Sequence, residues 1–370
     1  MAGTLEARAV ESATIDAKGE ERPLRVLAVT PLPSSRASMI HVTRQVASLE
    51  LSGVSTKTFT VASRTAPWVI LCEWRRLRRE IREFQPDIVH AHYGTMTAFL
   101  AILSTTLPVI VTYRGSDLNP NRSRGRLREA VGTLLSQIAA LRAARIICVS
   151  NQLKDKLWWR RDRVTVIPTG VDMTLFYPRD LQEARRELEW GHDERVVLFN
   201  AGDPICKRLD LARAAVQFAA SLCGKVRFTV LDGNVPPNHI PLMMNAADCL
   251  LLTSDWEGSP NVVKEAIACN LPVVSVDVGD VRERLERVRP SVIVPQDACE
   301  IGKAISVILK QGRRSNGRES AKDLSNEVVS QRIVSLYRAL QMDYLNSGSR
   351  LWTRPSQRSI LKRSRIMERS

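Results

Sequence analysis

No apolar run in this sequence is long enough to cross a bilayer. The longest, Ala98–Tyr113, is interrupted by Thr105, Thr106 and Pro108, whereas a spanning helix needs about 20 consecutive apolar residues. A secretory leader is missing too. Residues 1–23 are polar and carry charges of both signs, which reads as a disordered leader and not a signal peptide. The seven cysteines, at 72, 148, 206, 223, 249, 269 and 299, never stand at metal-ligand spacing. Several lie inside apolar runs, the pattern of a reduced cytosolic protein with no structural metal. Acid is in short supply: 39 Asp and Glu face 54 Lys and Arg, a net charge of +15. That excess asks for phosphate-bearing partners, whether nucleic acid, nucleotide or an anionic membrane surface. Nucleic acid is disfavoured, because no aromatics interleave on a strand face and no recognition helix stands out.

What remains is a globular composition, 44% apolar and 25% charged over 370 residues, enough for two domains with a core each. Short apolar segments are predicted as strands at Arg25–Thr30, Lys57–Ala62, Asp87–Ala91, Pro108–Tyr113, Arg145–Ser150 and Val164–Ile167. Helical stretches separate them, among them Met39–Leu51, Pro67–Phe84 and residues 124–142. The alternation breaks at the Pro-, Gly- and Asp-rich PTGVDMTLFYPRD (168–180) and restarts at Val196–Phe199, Arg227–Leu231, Cys249–Thr253, Leu271–Val276 and Ser291–Val294. Strands alternating with helices imply doubly wound parallel sheets, whose ligands sit beyond the carboxyl ends of the strands. The expected organisation is a leader (1–23), a first Rossmann-like domain (24–178) and a second (179–325). A helix crossing back (326–345) and a basic tail (346–370) follow.

The most informative stretch runs from Asp248 to Glu283. A buried strand leads into the loop Ser254–Ser259, Pro260 opens a helix over Val262–Cys269, and Asn270 can close it in a left-handed conformation. Glu257 stands in the loop and Glu265 inside the helix, with seven residues between them. Carboxylates beside a helix N-terminus suit a ligand with both hydroxyls and phosphates: the acids accept from sugar OH groups, and free backbone N–H groups face the phosphate.

Five phrases carry a family resemblance: EGSPNVVKEAIACNLPVV (257–274), PDIVHAH (86–92), VTYRGSDL (111–118), ICVSNQLKDKL (147–157) and VIPTGVDMTLFYP (166–178). In this order they resemble retaining glycosyltransferases of family 4 (glycosyl transferases group 1). The resemblance implies a GT-B fold, an α/β architecture of two Rossmann-like parallel-sheet domains facing across a cleft. It implies a nucleotide-sugar donor, a glycan or lipid-linked acceptor, retention at the anomeric carbon and no bound metal or other cofactor. Glu265 resembles the acid that binds the donor ribose, and Glu257 the acid near the donor sugar. Lys207 resembles the lysine that neutralises the diphosphate, with Gly202 and Arg208 in the same loop. The backbone of Gly258, Ser259, Pro260, Asn261 and Val262 would line the sugar and pyrophosphate.

His92 and Arg114, at strand ends of the first domain, complete the expected catalytic set with Glu257 and Lys207. Three departures stand beside the resemblance. Arg114 occupies a position where the family often has His, Gly202 is followed by Asp203 and not Arg, and the loop PSSRAS (33–38) has no glycine. A GT-B scaffold without activity, serving a glycan-assembly complex, is therefore the competing reading.

His90 and His92 share a strand face and at least one of them is expected to be structural, whereas His41, His192 and His239 read as surface residues. Arg114 and Asp117 either orient a substrate or pair with each other. The helix 67–84 sets Trp68, Leu71, Trp74, Leu77 and Ile81 against a basic face with five arginines in residues 75–82. It is either a packed helix or a dock for anionic lipid, and the tail 348–370, with seven basic residues against one acid, is either disordered throughout or folds weakly on a membrane. The expected location is the cytoplasm, or the inner face of its membrane.

Overall fold

The computed structural model describes residues 13–15, 21–33, 39–62, 66–119, 125–233 and 235–346. Its central strands are buried along their whole length, Ile88–His92 and Val109–Tyr113 at every position. Strands of that kind need cover on both faces, which is the condition for a parallel sheet flanked by helices. Two such sheets form.

In the first, β3 (Arg25–Pro31), β4 (Ser55–Val61), β5 (Ile88–His92), β6 (Val109–Tyr113), β7 (Arg145–Cys148) and β8 (Val164–Val166) lie in the order β4-β3-β5-β6-β7-β8. In the second, β9 (Val196–Asn200), β10 (Arg227–Leu231), β11 (Cys249–Leu252), β12 (Val273–Ser275) and β13 (Val292–Ile293) lie in the order β10-β9-β11-β12-β13. All neighbours within both sheets are parallel. In each sheet the second strand in sequence sits at one edge and the third on the other side of the first. The winding direction therefore reverses between β3 and β5, and again between β9 and β11. Loops leaving the carboxyl ends of strands diverge at such points and leave a crevice.

Every strand expected from the sequence is present, and an additional pair is found. Ala13–Ile15 (β1) and Glu21–Pro23 (β2) form an antiparallel ladder, so the leader is not disordered throughout. Its end is pinned by the Arg22 guanidinium, which makes a two-pronged contact with Asp87 at 2.8 and 2.5 Å. The basic tail lies outside the described residues. The short helices Asn151–Asp155, Leu181–Glu187, Ile240–Ala246, Val281–Leu285 and Gly317–Ala321 were not legible in the periodicity. Two of them are set by caps instead, Ser150 accepting from Leu153 N and Asp180 from Gln182 N and Glu183 N.

The helix Asn326–Asn346 follows the second sheet in sequence yet covers a face of the first. Val329, Ile333, Val334, Tyr337 and Leu340 pack with Leu24, Leu49, Ile88, Ile110 and Ile147. The anchor is polar: His90 Nδ1 meets Tyr337 OH at 2.6 Å, and His90 Nε2 meets Thr112 Oγ1 at 2.7 Å. His90 is thus structural, and burial lowers its pKa to about 3, so it is neutral.

The helix Pro67–Phe84 departs from its expected stripe. Leu77 and Ile81 are buried, but Trp68 is 71% exposed and Glu73 turns inward. Glu73 accepts from Ala62 N at 3.1 Å and from Arg76, which fastens the helix to the end of β4.

Candidate active site

Two loops at the reversal point of the second sheet bring the carboxy-domain candidates together. Residues 201–208 follow β9, and residues 253–260 follow β11. Thr253 Oγ1 donates to Lys207 O (2.7 Å) and Arg208 O (3.2 Å), while Asp255 N donates to Cys206 O (2.9 Å). These bonds tie the loops edge to edge and set the Lys207 ammonium on Glu257 Oε1. Ser254 Oγ donates to the same oxygen at 2.8 Å. Both partners are mostly buried, with side chains 17% and 12% exposed. In the unliganded molecule, Lys207 is therefore held by Glu257.

Arg208 is turned elsewhere. Its guanidinium is taken by Asp210 (3.0 Å) and Asp255 (3.3 Å), away from Glu257. Gly202 is exposed at the start of the loop, its N–H donating to Asn200 Oδ1 at 3.1 Å.

The helix Asn261–Ala268 starts directly after Pro260. No side chain caps it, and of its first turn Val263 N–H donates to Pro260 O at 3.2 Å, which leaves the Asn261 and Val262 N–H groups as the donors of the helix start. Val262 is buried and packs into the core, so only its backbone can serve a ligand. Asn261 Oδ1 is buried without a partner. Asn270 closes the helix at φ 56°, the left-handed conformation expected of it.

One turn into the helix stands Glu265. Burial pushes its carboxyl up to about 7, against the pull of Arg44 and Lys264. It makes no hydrogen bond to a described residue. A carboxylate left desolvated and unsatisfied is set to accept hydroxyl donors from a ligand.

The Ser259 side chain turns inward, which leaves its backbone on the loop. Its hydroxyl donates to Asp280 Oδ2 (2.8 Å) and lies 3.0 Å from Lys264 Nζ, which also donates to Thr169 O at 2.7 Å. Lys264 is fully buried, and burial lowers its pKa to about 8 even with Asp280 beside it. It stands next to Glu265 in sequence, yet nothing in the periodicity marks it. Its partners come from residue 169 and residue 280, far away along the chain.

The opposite wall comes from the carboxyl ends of β5 and β6. Asp117 accepts the backbone N–H groups of Gly94 (3.0 Å), Arg114 (3.0 Å) and Gly115 (2.9 Å). It shapes the turn, and the expected side-chain pair with Arg114 does not form as a hydrogen bond. The Arg114 guanidinium instead donates to Gln45 Oε1 (2.6 Å), His92 Nδ1 (3.0 Å) and Thr169 Oγ1 (3.2 Å). Because a guanidinium only donates, His92 Nδ1 must accept, and Nε2 carries the proton. That Nε2 is buried without a partner.

His41 is no surface residue. It is half-buried near this cluster, and burial together with Arg114, Lys264 and Arg44 lowers its pKa. His192 and His239 are exposed.

The two walls touch. Asn119 Nδ2 donates to Glu257 O at 3.1 Å, and Gln152 Oε1 accepts from Gly279 N at 2.9 Å. A Cβ on Gly258 would overlap the Arg114 carbonyl oxygen. The Glu257–Gly258 loop therefore lies directly on the turn that carries Arg114.

This arrangement has a counterpart among known proteins. The family description Glycosyltransferase Family 4 matches residues 40–175, and that of Glycosyl transferases group 1 matches residues 180–311. The chain belongs to the glycosyl transferases group 1 family. Its two parallel-sheet α/β domains are those of the GT-B fold. Sucrose-phosphate synthase from Thermosynechococcus elongatus superposes with a TM-score of 0.72 at 18% identity, covering 87% of this chain and 100% of that one. HepE of Anabaena, solved in complex with UDP, superposes with a TM-score of 0.65 at 15% identity, covering 85% and 100%.

Among curated relatives, TuaC of Bacillus subtilis, named as a teichuronic acid biosynthesis glycosyltransferase, is 27% identical over 251 residues. The match spans 61% of this chain and 62% of TuaC, less than two thirds of that protein. The N-acetyl-alpha-D-glucosaminyl L-malate synthase of Bacillus anthracis is 21% identical over 296 residues, 70% of this chain and 75% of that protein.

Proposed function

We propose that this GT-B enzyme moves a sugar from a nucleotide-sugar donor to a glycan or lipid-linked acceptor, with retention of anomeric configuration, in cell-surface or exopolysaccharide synthesis. One observation carries the reading: Lys207 and Glu257 meet at the reversal point of the second sheet, beside an uncapped helix start with Glu265 one turn on. In this reading the ribose hydroxyls donate to Glu265, and the diphosphate lies over the N–H groups of Gly258, Ser259, Asn261 and Val262, Pro260 having none to give. Lys207 leaves Glu257 for the phosphate, which frees Glu257 to accept from a hydroxyl of the donor sugar. The bond from the anomeric carbon to the diphosphate breaks while the acceptor oxygen attacks from the same face. The acceptor's proton passes to the departing phosphate oxygen. Lys207 and the helix N–H groups stabilise the charge growing there, which is electrostatic catalysis.

The relatives support the setting. TuaC is named for teichuronic acid and WcaL of Escherichia coli for colanic acid biosynthesis, and HepE is solved with UDP and with UDP-glucose. A membrane-borne acceptor fits the surface of the first domain. Trp68, Leu127, Val131 and Leu134 are exposed beside the arginines of helix 67–84. A groove of about 330 Å³ passes from Ile70, Leu127 and Val131 to Ser116 and Asn119. Among the described residues no helix is long and apolar enough to cross a membrane.

The test is a thermal-shift panel of UDP-, GDP- and ADP-sugars, followed by release of the nucleoside diphosphate. A protein that neither binds nor hydrolyses any of them is no sugar transferase. The competing reading, a scaffold without activity, is favoured by one observation, the engagement of Arg114 by Gln45, His92 and Thr169. Polysaccharide production that survives both Glu257→Ala and Glu265→Ala would establish it.

A further inference from the structure

The cleft wall built by the first domain holds a cation with no acid among its hydrogen-bond partners. Arg114 is half-buried, and all three of its side-chain hydrogen bonds go to neutral acceptors: Gln45 Oε1, His92 Nδ1 and Thr169 Oγ1. Its Nε is buried and unpartnered, as is the Nε2 of His92. The acid of the same loop, Asp117, spends its oxygens on the backbone N–H groups of Gly94, Arg114 and Gly115. Further positive charge comes from Arg44 on the helix Ile40–Leu51 and from Lys264 across the cleft.

The two histidines that face this charge record it. Burial first, followed by Arg114 for His41 and by His90 and then Arg114 for His92, lowers the pKa of both and holds them neutral. Arg114 itself falls only to about 10, so it remains charged at neutral pH. Asp117 acts on Arg114 through space, but its oxygens are taken by backbone N–H groups, so a half-buried cation whose direct partners are all neutral still has N–H groups to offer an anion.

The place of that anion follows from the contact between the walls. The Arg114 carbonyl packs on Gly258, next to Glu257, the residue assigned above to the donor sugar. We propose that the transferred sugar carries a carboxylate, as in a hexuronic acid, and that Arg114 is the residue that selects it. A planar guanidinium matches a carboxylate through two parallel N–H···O bonds, which a neutral hydroxymethyl group cannot accept in the same way. This inference rests on the donor placement proposed above.

The experiment compares donors that differ only at the sugar's sixth carbon, UDP-glucose with UDP-glucuronic acid and GDP-mannose with GDP-mannuronic acid, by calorimetric titration into the full chain. In one of the two pairs the hexuronate is expected to bind about tenfold or more tightly. Arg114→Gln is expected to remove that preference while binding of the nucleoside diphosphate alone stays within about twofold. Arg114→Lys should keep part of the preference, because charge survives without the planar fork.

Equal or tighter binding of the hexose by the wild type overturns the inference, and so does a preference that survives Arg114→Gln. If the diphosphates bind and the preference is absent, only the carboxylate is wrong. If neither UDP nor GDP binds, the donor placement fails and takes this inference with it. Should Arg114→Gln not fold, the wild-type ratio and Arg114→Lys decide.

Discussion

At the scale of single residues, the site is built from charges held in surroundings that do not suit them. Glu265 is the clearest case. Its carboxyl titrates near 7 in the folded protein against 4.5 as the ordinary value. The native state therefore binds more protons between those two pH values, and stability falls as pH rises through the window. Glu265→Gln is expected to stabilise the unliganded protein at pH 8 by on the order of 2 kcal/mol, a gain that vanishes below about pH 5. Urea unfolding at the two pH values measures this. The same variant should bind nucleotide more weakly, and wild-type affinity should rise with pH through 7, since the ionised carboxylate is the better hydroxyl acceptor.

Lys207→Ala removes the cation proposed for the leaving group. Donor turnover is expected to drop by roughly 10²-fold or more, with a smaller change in ribose-dependent affinity, read as kcat against KM. Glu257, Glu265 and Asn270 were legible because their chemistry is local: a loop, a helix start and a helix end within one stretch of chain. Lys264, Thr253 and Asn119 were not, because each acts on a partner 46 or more residues away. The partners of Arg208 were not legible either: a cation in the same loop, it stands on Asp210 and Asp255.

Among elements, the strands of both sheets could be read directly, since an uninterrupted apolar run of four to seven residues has few other places to go. The short helices could not, because a turn or two of helix carries no period. Helix 67–84 was read correctly in extent and wrongly in aspect. Its moment comes from arginines on one face, but its own ends decide what is covered, with Glu73 drawn inward by Ala62 N and Trp68 left out. If that exposed face meets lipid, Trp68→Ser combined with Leu127→Ser should reduce co-sedimentation with vesicles of mixed phosphatidylglycerol and phosphatidylcholine severalfold, and leave hydrolysis of a soluble donor unchanged.

The helix 326–346 makes a separate prediction. Tyr337→Phe removes a buried partner of His90 Nδ1 and should destabilise the protein by about 1–3 kcal/mol, measured by denaturant midpoint.

For the whole molecule, the closeness of the two domains is fixed by backbone. Gly258 lies against the Arg114 carbonyl with no room for a side chain, and a Cβ on Gly115 would come within 3.2 Å of Gly258 N. Gly258→Ala should therefore hold the domains apart. Small-angle scattering would show a larger radius of gyration, and nucleotide would still bind the second domain. Transfer, which needs both walls, would fall by at least tenfold. The two-domain plan was legible from the break at 168–180 in an otherwise regular alternation. Which residues meet across the cleft was not, because that depends on how two separate folds are set against each other.

One consequence concerns the order in which the chain is made. The helix that covers Leu24, Ile88, Ile110 and Ile147 is encoded some 160 residues after the last strand of the sheet it seals, counting from Val166 to Asn326. On the ribosome, translation at about 5–20 residues per second leaves that apolar face open for roughly 8–32 seconds after β8 emerges. Through that interval the first domain is a ready client for chaperones. Nascent chains arrested before residue 326 should be bound by them and sensitive to protease, and chains released after residue 346 should not.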